Sequence, residues 1–203
     1  VRIVRNAETN LGDLCADAYR ALSNADIAFV NGGGIRKQIE AGDITLDDIY
    51  SVHPFGNTMC VIRVTGQQVL DALEWGARAV PSENGGFLQV SGLTYEIHTG
   101  VASSAEKDEN GMFTRVSGEY RVKNVMVGGQ PLELDKTYTL ASHNYMLLGH
   151  GDGYTMFDGC EVLGEDMMVD NQVLITYITT TLGGVVGEQY ANPYGDGRIV
   201  AVE

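Results

Sequence analysis

Three consecutive glycines, residues 32–34, follow the short apolar run ADIAFV and lead directly into Ile35 and Arg36. Glycine loses more backbone freedom on folding than any other residue, so three together weaken any regular element that contains them. A chain keeps such a run where the backbone turns tightly, or where it comes closer to something than a Cβ allows. The residues ahead of it are apolar and partly β-branched, which suits a buried strand. NGGGIR therefore predicts a strand that ends either in a tight turn or in a close approach to a ligand. In the second case Arg36 stands ready to hold a negative charge.

Hydrophobic spacing places the other elements around this feature. Leu11, Leu14, Cys15, Ala18 and Leu22 share one helical face, with Thr9 or Asn10 available as N-cap. TLDDIY, residues 45–50, has the Thr-x-x-Asp spacing of a capping box and predicts a short helix. Residues 59–64 read as a strand, after which Thr65 opens the helix GQQVLDALEWGARA. GGFLQVSGLTYEI reads as two strand pieces broken at Gly92, and residues 101–119 as a polar surface loop or exposed hairpin. Residues 122–146 hold two strand-like halves around a Gly-Gly-Gln-Pro turn, and GHGDGY forms a second glycine-dense loop. NQVLITYITTTL predicts a helix capped by Asp170, and GRIVAV a last strand. Helices and strands mix without strict alternation, and no repeat or low-complexity linker divides the chain. The expectation is a single α+β domain over residues 1–203, with mixed α/β layers, a mixed sheet and flanking helices.

A formal net charge of −14 argues against nucleic-acid polymers or an anionic membrane as partners. No apolar stretch approaches the ~20 residues that span a bilayer. Cys15, Cys60 and Cys160 are odd in number and lack CxxC spacing, which predicts three buried thiols rather than a disulfide framework or zinc ribbon. The chain starts at Val1 in mid-phrase, so a piece of a longer protein is expected, its targeting segment lying elsewhere.

Catalytic signatures are scarce. No Gly-Lys-Ser/Thr follows the glycines, the spacing misses G-x-G-x-x-G, and no G-x-S-x-G elbow occurs. Ser142 and His143 are neighbours on a predicted strand and point to opposite faces. His53, His98, His143 and His150 lack paired-ligand spacing; His150 with Asp152 reads as a hydrogen-bonded turn before it reads as a metal site. No catalytic residue, metal or cofactor is expected in this chain.

The remaining polar groups suit a nucleotide. Arginine forks match phosphate or ribose oxygens. Aromatic rings beside glycine, in PFGN and HNYMLLGHGDGY, suit a flat base. Asp152 between two glycines offers acceptors to vicinal hydroxyls. Each has an ordinary alternative, Phe55 and Tyr145 as core and Asp152 as a turn residue. NGGGIR, AGDIT, PFGN, VTGQQVLDALE, GGFLQVSGL and GDGYTMF occur in this order. On these motifs the chain resembles the C-terminal, substrate-binding domain of the 5′-nucleotidases, relatives of UDP-sugar hydrolases and 2′,3′-cyclic-nucleotide phosphodiesterases.

The resemblance implies that Arg5 and Arg36 contact the ribose and phosphate side, while Asn31 and Asn57 make polar contacts to the nucleotide. Phe55 and Tyr145 would sandwich the base, Asp152 bind the ribose hydroxyls, and Gly86 offer a backbone contact near the base. The family's usual Gly-Gly-Asp-Gly-Tyr is GHGDGY here, and the run from Tyr145 to Asp152 is one residue longer. The resemblance also assigns hydrolysis to a separate N-terminal domain with two divalent metal ions, leaving this chain inactive alone. It implies an extracellular, periplasmic or cell-wall location. The alternative is a stand-alone module that binds nucleosides or another aromatic ligand.

Overall fold

Alternation along the inner strands buries the central sheet on both faces. The computed structural model describes residues 2–203. Its strands are β1 (Ile27–Asn31), β2 (Met59–Thr65), β3 (Leu88–Ser91), β4 (Leu93–His98), β5 (Ala105–Lys107) and β6 (Phe113–Val116). They continue with β7 (Val122–Val127), β8 (Gln130–Pro131), β9 (Thr137–His143), β10 (Glu161–Gly164) and β11 (Ile199–Val202). The central sheet has the order β10-β2-β9-β1-β3, and a second sheet the order β11-β4-β7-β8. β1 runs parallel to β9, and the other pairs of the central sheet are antiparallel.

Successive side chains on a strand face opposite sides. Ile27 and Phe29 of β1 enter one core with Cys60, Ile62 and Val64 of β2. Ala28 and Val30 enter the other with Met59 and Val61. Two cores require both faces of the sheet to be covered, which explains why β1 is apolar at every position up to Asn31. Three helices, α1 (Asn10–Ser23), α2 (Leu46–Val52) and, further along the chain, residues 170–176, supply the second core. The helix α3 (Gly66–Ala77) and the second sheet supply the first, through Val69, Leu73, Trp75, Tyr95 and Ile97. Each fully buried side chain of this size contributes about 1.5–3 kcal/mol.

Local signals set the helix starts. Thr9 caps α1, its Oγ1 accepting the Gly12 N–H at 3.1 Å. Thr45 with Asp48 and Thr65 with Gln68 form complete capping boxes on α2 and α3. After β9 the chain makes one helical turn, α4 (Asn144–Leu147), and the last helix is α5 (Asp170–Thr176).

Some expectations are corrected. Asp170 is the first residue of α5 rather than its cap: Val169 occupies the cap without a side-chain bond. The Asp170 N–H is drawn instead to the Asn57 carbonyl at 2.8 Å. The predicted single helix continues as a widened π turn over Tyr177–Thr181. Of the two readings of residues 101–119, loop or hairpin, the hairpin holds, formed by β5 and β6. Cys15 and Cys60 are buried, but Cys160 is half-buried, its Sγ accepting from Gln68 Nε2 at 3.3 Å.

The two ends of the chain are tied together. The buried Glu8 carboxylate accepts the N–H groups of Asp196, Gly197 and Ile199 at 2.6, 2.9 and 2.7 Å. Arg198 reaches across to Asp17, with Nη1 2.6 Å from Oδ1. Among the described residues no helix is long and apolar enough to cross a membrane.

Candidate functional site

Strand direction brings four loops to one edge of the central sheet. β1 and β9 are parallel neighbours, so the loops that follow them, NGGG and HNYMLLGHGDGY, emerge at the same edge. β2 and β3 are antiparallel to these partners, so the segments that precede them, PFGN and NGGF, enter there too. Ligands of α/β sheets characteristically bind outside the carboxyl ends of parallel strands. A cleft of about 390 Å³ opens at this edge.

The glycine run shapes it, though not as the sequence suggests. None of Gly32, Gly33 and Gly34 has a left-handed φ, so conformational freedom is not what they provide. A Cβ on Gly32 would fall 2.1 Å from the Val4 carbonyl oxygen. One on Gly33 would fall 3.0 Å from the Gly85 oxygen, and one on Gly34 2.7 Å from Asn31 Oδ1. The N–H groups of Gly32 and Gly33 donate to Phe87 and Gly85 carbonyls, both at 2.7 Å. The close approach is therefore to the chain's own backbone, from residues 4–5 on one side and 85–87 on the other. Gly33 and Gly34 still form part of the cleft wall.

This clasp brings two guanidinium groups to the cleft. Arg36 Nη1 donates to the Gly33 carbonyl at 3.2 Å, and Arg36 Cζ lies 5.6 Å from the Phe55 ring centroid. Arg5 ends the single 3-10 turn Ile3–Arg5, its Nε buried without a partner. Burial, then the nearby Arg2 and Arg36 charges, lower the Arg5 pKa, with Glu83 and Asp152 opposing. Neither Arg5 nor Arg36 forms an ion pair among the described residues. An anion bound between them would relieve that repulsion.

Opposite stand the aromatic rings and the carboxylate. Phe55 is 59% exposed and Tyr145 44%, so neither is a core residue. Gly151 makes room for Tyr145, since a Cβ there would fall within 2.3 Å of the ring. Asp152 adopts a left-handed conformation, φ 54°, and is held from several sides. Asn31 Nδ2 donates to Asp152 Oδ2 at 2.5 Å, the Tyr145 hydroxyl to Oδ1 at 3.4 Å, and Trp75 Nε1 to the Asp152 carbonyl at 2.9 Å. His150 pairs with Asp158 rather than sharing an ion with Asp152.

Of the residues singled out in the sequence, Arg5, Asn31, Arg36, Phe55, Asn57, Tyr145 and Asp152 all line this one cleft. Gly86 lies behind the wall. Its N–H donates to Asn84 Oδ1 at 3.1 Å, its carbonyl accepts the Tyr154 hydroxyl, and Gly85 takes its place at the surface. Sequence reasoning missed Gly85, and also the support residues His143, Trp75 and Asp170. Asp170 braces the Asn57 loop by donating its N–H to the Asn57 carbonyl at 2.8 Å, and burial pushes its carboxyl up to about 6, with hydrogen bonds from Asn171 and Asn57 opposing. Away from the cleft, Ser142 donates to the Phe29 carbonyl at 2.6 Å, and Cys60 is buried with its thiol pushed up to about 12. The arrangement can hold a ligand that is anionic at one end, flat at the other, and bears hydroxyls between.

Comparison with known proteins places the chain as a whole. The family model described as 5′-nucleotidase, C-terminal domain, matches residues 1–159. The trifunctional nucleotide phosphoesterase protein YfkN of Bacillus subtilis is 36% identical over 203 residues, covering 98% of this chain and 13% of that protein. The 5′-nucleotidase of Vibrio cholerae is 34% identical over 176 residues, covering 87% of this chain and 28% of that protein. The crystal structure of a 5′-nucleotidase precursor from Thermus thermophilus superposes with a TM-score of 0.81 at 32% identity, over 99% of this chain and 37% of that one. The NAD nucleotidase of Haemophilus influenzae, at 21% identity and a TM-score of 0.67, shares the fold. This chain thus spans between 13% and 28% of the length of the two curated relatives. Sequence and fold lead to one conclusion: the chain belongs to the 5′-nucleotidase C-terminal domain family.

Proposed function

We propose that this chain is the nucleotide-recognition domain of a 5′-nucleotidase-type phosphoester hydrolase that works outside the cytoplasm, in the periplasm, at the cell wall or secreted. The observation that carries the reading is the sharing of one cleft by two guanidiniums that form no ion pair among the described residues, two exposed aromatic rings and a fixed carboxylate. Arg5 and Arg36 hold the phosphate and its ribose end. Phe55 and Tyr145 stack the base, Asp152 accepts from the ribose hydroxyls, and Asn31 and Asn57 add polar contacts. Gly85 rather than Gly86 gives the backbone contact beside the base.

Hydrolysis belongs to a separate N-terminal domain with two divalent metal ions, which activate water and stabilise the departing phosphate. Among the described residues one carboxylate trio, Glu8, Asp13 and Asp196, is close enough to share an ion. Its groups are otherwise engaged, Glu8 by three backbone N–H groups and Asp196 by Arg198, so they do not fit a catalytic metal pair. This chain contributes positioning, which is a separate source of rate.

Titration calorimetry of the purified chain with AMP tests the reading. Weak binding is expected, with no phosphate released in the presence of Mn²⁺, and Phe55→Ala removes roughly 1–3 kcal/mol of it, the worth of a base–aromatic stack. Equal binding by wild type and variant defeats the stacking role. Metal-dependent turnover that a point substitution within this chain abolishes defeats the division of labour.

A further inference from the structure

We infer that His143 is a positioning residue of the cleft: through its Nε2–H it fixes the amide of Asn31, and through that amide the carboxylate of Asp152. The relay follows from which groups can donate. Asp152 Oδ2 lies 2.5 Å from the Asn31 amide, and an ionised carboxylate only accepts. The NH₂ of Asn31 must therefore face Asp152, because the flipped amide would set two acceptors against each other at that distance. Asn31 Oδ1 is then left facing His143 Nε2 at 2.9 Å, and an amide oxygen there requires a donor. So the hydrogen sits on Nε2.

Burial supplies the rest of the constraint. His143 is 2% exposed at the end of β9, and burial, reinforced by the neighbouring His53, pushes its pKa down to about 3. The ring carries one proton. With that proton on Nε2, Nδ1 is a bare lone pair, and Nδ1 is indeed buried without a partner. An unmet polar atom of this kind costs about 1–3 kcal/mol, which a purely packing role would avoid with an apolar side chain. The ring itself is wedged by Tyr19, at 6.3 Å, and by Tyr145, at 5.9 Å between centroids. His53 completes the floor, its Nδ1 donating to the Gly34 carbonyl at 3.3 Å.

The consequence is a hydrogen-bond chain of fixed polarity, His143 to Asn31 to Asp152, ending in a carboxylate whose remaining lone pairs demand donors from whatever enters the cleft. That Asp152 serves a ribose rests on the nucleotide-recognition reading; the polarity of the relay does not.

The test combines a spectroscopic and a binding readout. Long-range ¹⁵N–¹H correlation of the wild-type chain between pH 5 and 8 should show His143 as the Nε2–H tautomer throughout, and an Nδ1–H tautomer would overturn the relay. Calorimetry then compares adenosine with 2′,3′-dideoxyadenosine, which presents no vicinal hydroxyls to Asp152. His143→Leu should weaken adenosine about tenfold and leave the dideoxy analogue unchanged, while His143→Gln, which keeps a donor, restores most of the loss. Equal loss of both ligands would make His143 merely structural, and no loss would remove it from the site. Should wild type bind neither ligand while the Nε2–H tautomer holds, the nucleotide reading falls and the relay stands.

Discussion

Replacing Gly32, Gly33 and Gly34 by Ala, one at a time, separates packing from binding in the segment that shapes the cleft. Where the native backbone tolerates it, Gly→Ala stabilises by about 0.4–1 kcal/mol, because the unfolded chain loses freedom. None of the three has a left-handed φ, so this gain applies and only steric contact opposes it. At Gly32 the new methyl falls 2.1 Å from the Val4 carbonyl oxygen and 3.2 Å from Arg5 Cα. Both are backbone atoms and cannot rotate away, so the Ile3–Arg5 turn must shift and carry Arg5 with it. Overpacking costs about 1–3 kcal/mol, and so direct a contact belongs at the upper end, for a net loss of about 2 kcal/mol. At Gly33 the nearest atom is 3.0 Å away, which a small shift of Gly85 relieves, so the net change lies near zero. At Gly34 the obstacle is the Asn31 side chain at 2.7 Å. There the amide must turn, so stability falls by about 1 kcal/mol while the hold on Asp152 is lost. Gly100, with nothing within 4 Å, is the control and should gain slightly. Urea unfolding at constant m-value measures the first effect and adenosine titration the second. A Gly32→Ala protein with wild-type midpoint would refute the backbone-clasp account, and a Gly34→Ala protein with wild-type affinity would remove Asn31 from the binding face.

Two further outcomes follow from the charges. Arg36→Lys keeps the charge but loses the planar fork, so AMP affinity should fall about tenfold and adenosine affinity much less, with folding stability unchanged at this exposed position; equal affinities for AMP would return Arg36 to solvent. Burial pushes the Asp13 carboxyl up to about 8, with Arg198 opposing, so between its ordinary value and pH 8 the folded state holds a proton that the unfolded chain lacks. His53 and His143, pushed down to about 4 and 3, act in the opposite sense below about pH 6.5, where the unfolded chain binds the extra protons. Thermal unfolding should therefore show stability falling from about pH 6.5 to 8, and Asp13→Asn should flatten that fall; a rising profile in wild type would contradict the assignment.

What could be read from the sequence were the features that depend on near neighbours. Thr9, Thr45 and Thr65 announce their helices because a cap needs only the next three residues. β1 and β2 are legible because burial on both faces leaves nearly unbroken apolar runs. β10 was missed for the converse reason: it is an edge strand whose first three residues are exposed, so no alternation marks it. Asp170 looked like a cap by type, but the Asn57 carbonyl claims its N–H and extended pairing of Thr58 with Val169 delays the helix. The pattern puts Gly86 at the cleft where the fold puts Gly85, because the turn from Asn84 to Phe87 decides which of two adjacent glycines lines it, and no composition rule sets that register.

The site shows the same division at larger scale. Each of its loops carries its own signal, an arginine after glycines, a phenylalanine beside glycine, an aspartate between glycines. Their convergence is set by pairings such as Ala28 with Ala141 and Val61 with Ala141, which join segments remote in the chain. Because β1 and β9 run parallel while β2 and β3 run against them, two strand ends and two strand starts share one edge. His143 lies where that geometry matters most, as the last residue of β9 and beside the last residue of β1. Its neighbours in sequence mark it as an ordinary strand residue. Only the parallel pairing turns it toward Asn31, which is why a histidine without any motif becomes the start of the relay that ends at Asp152.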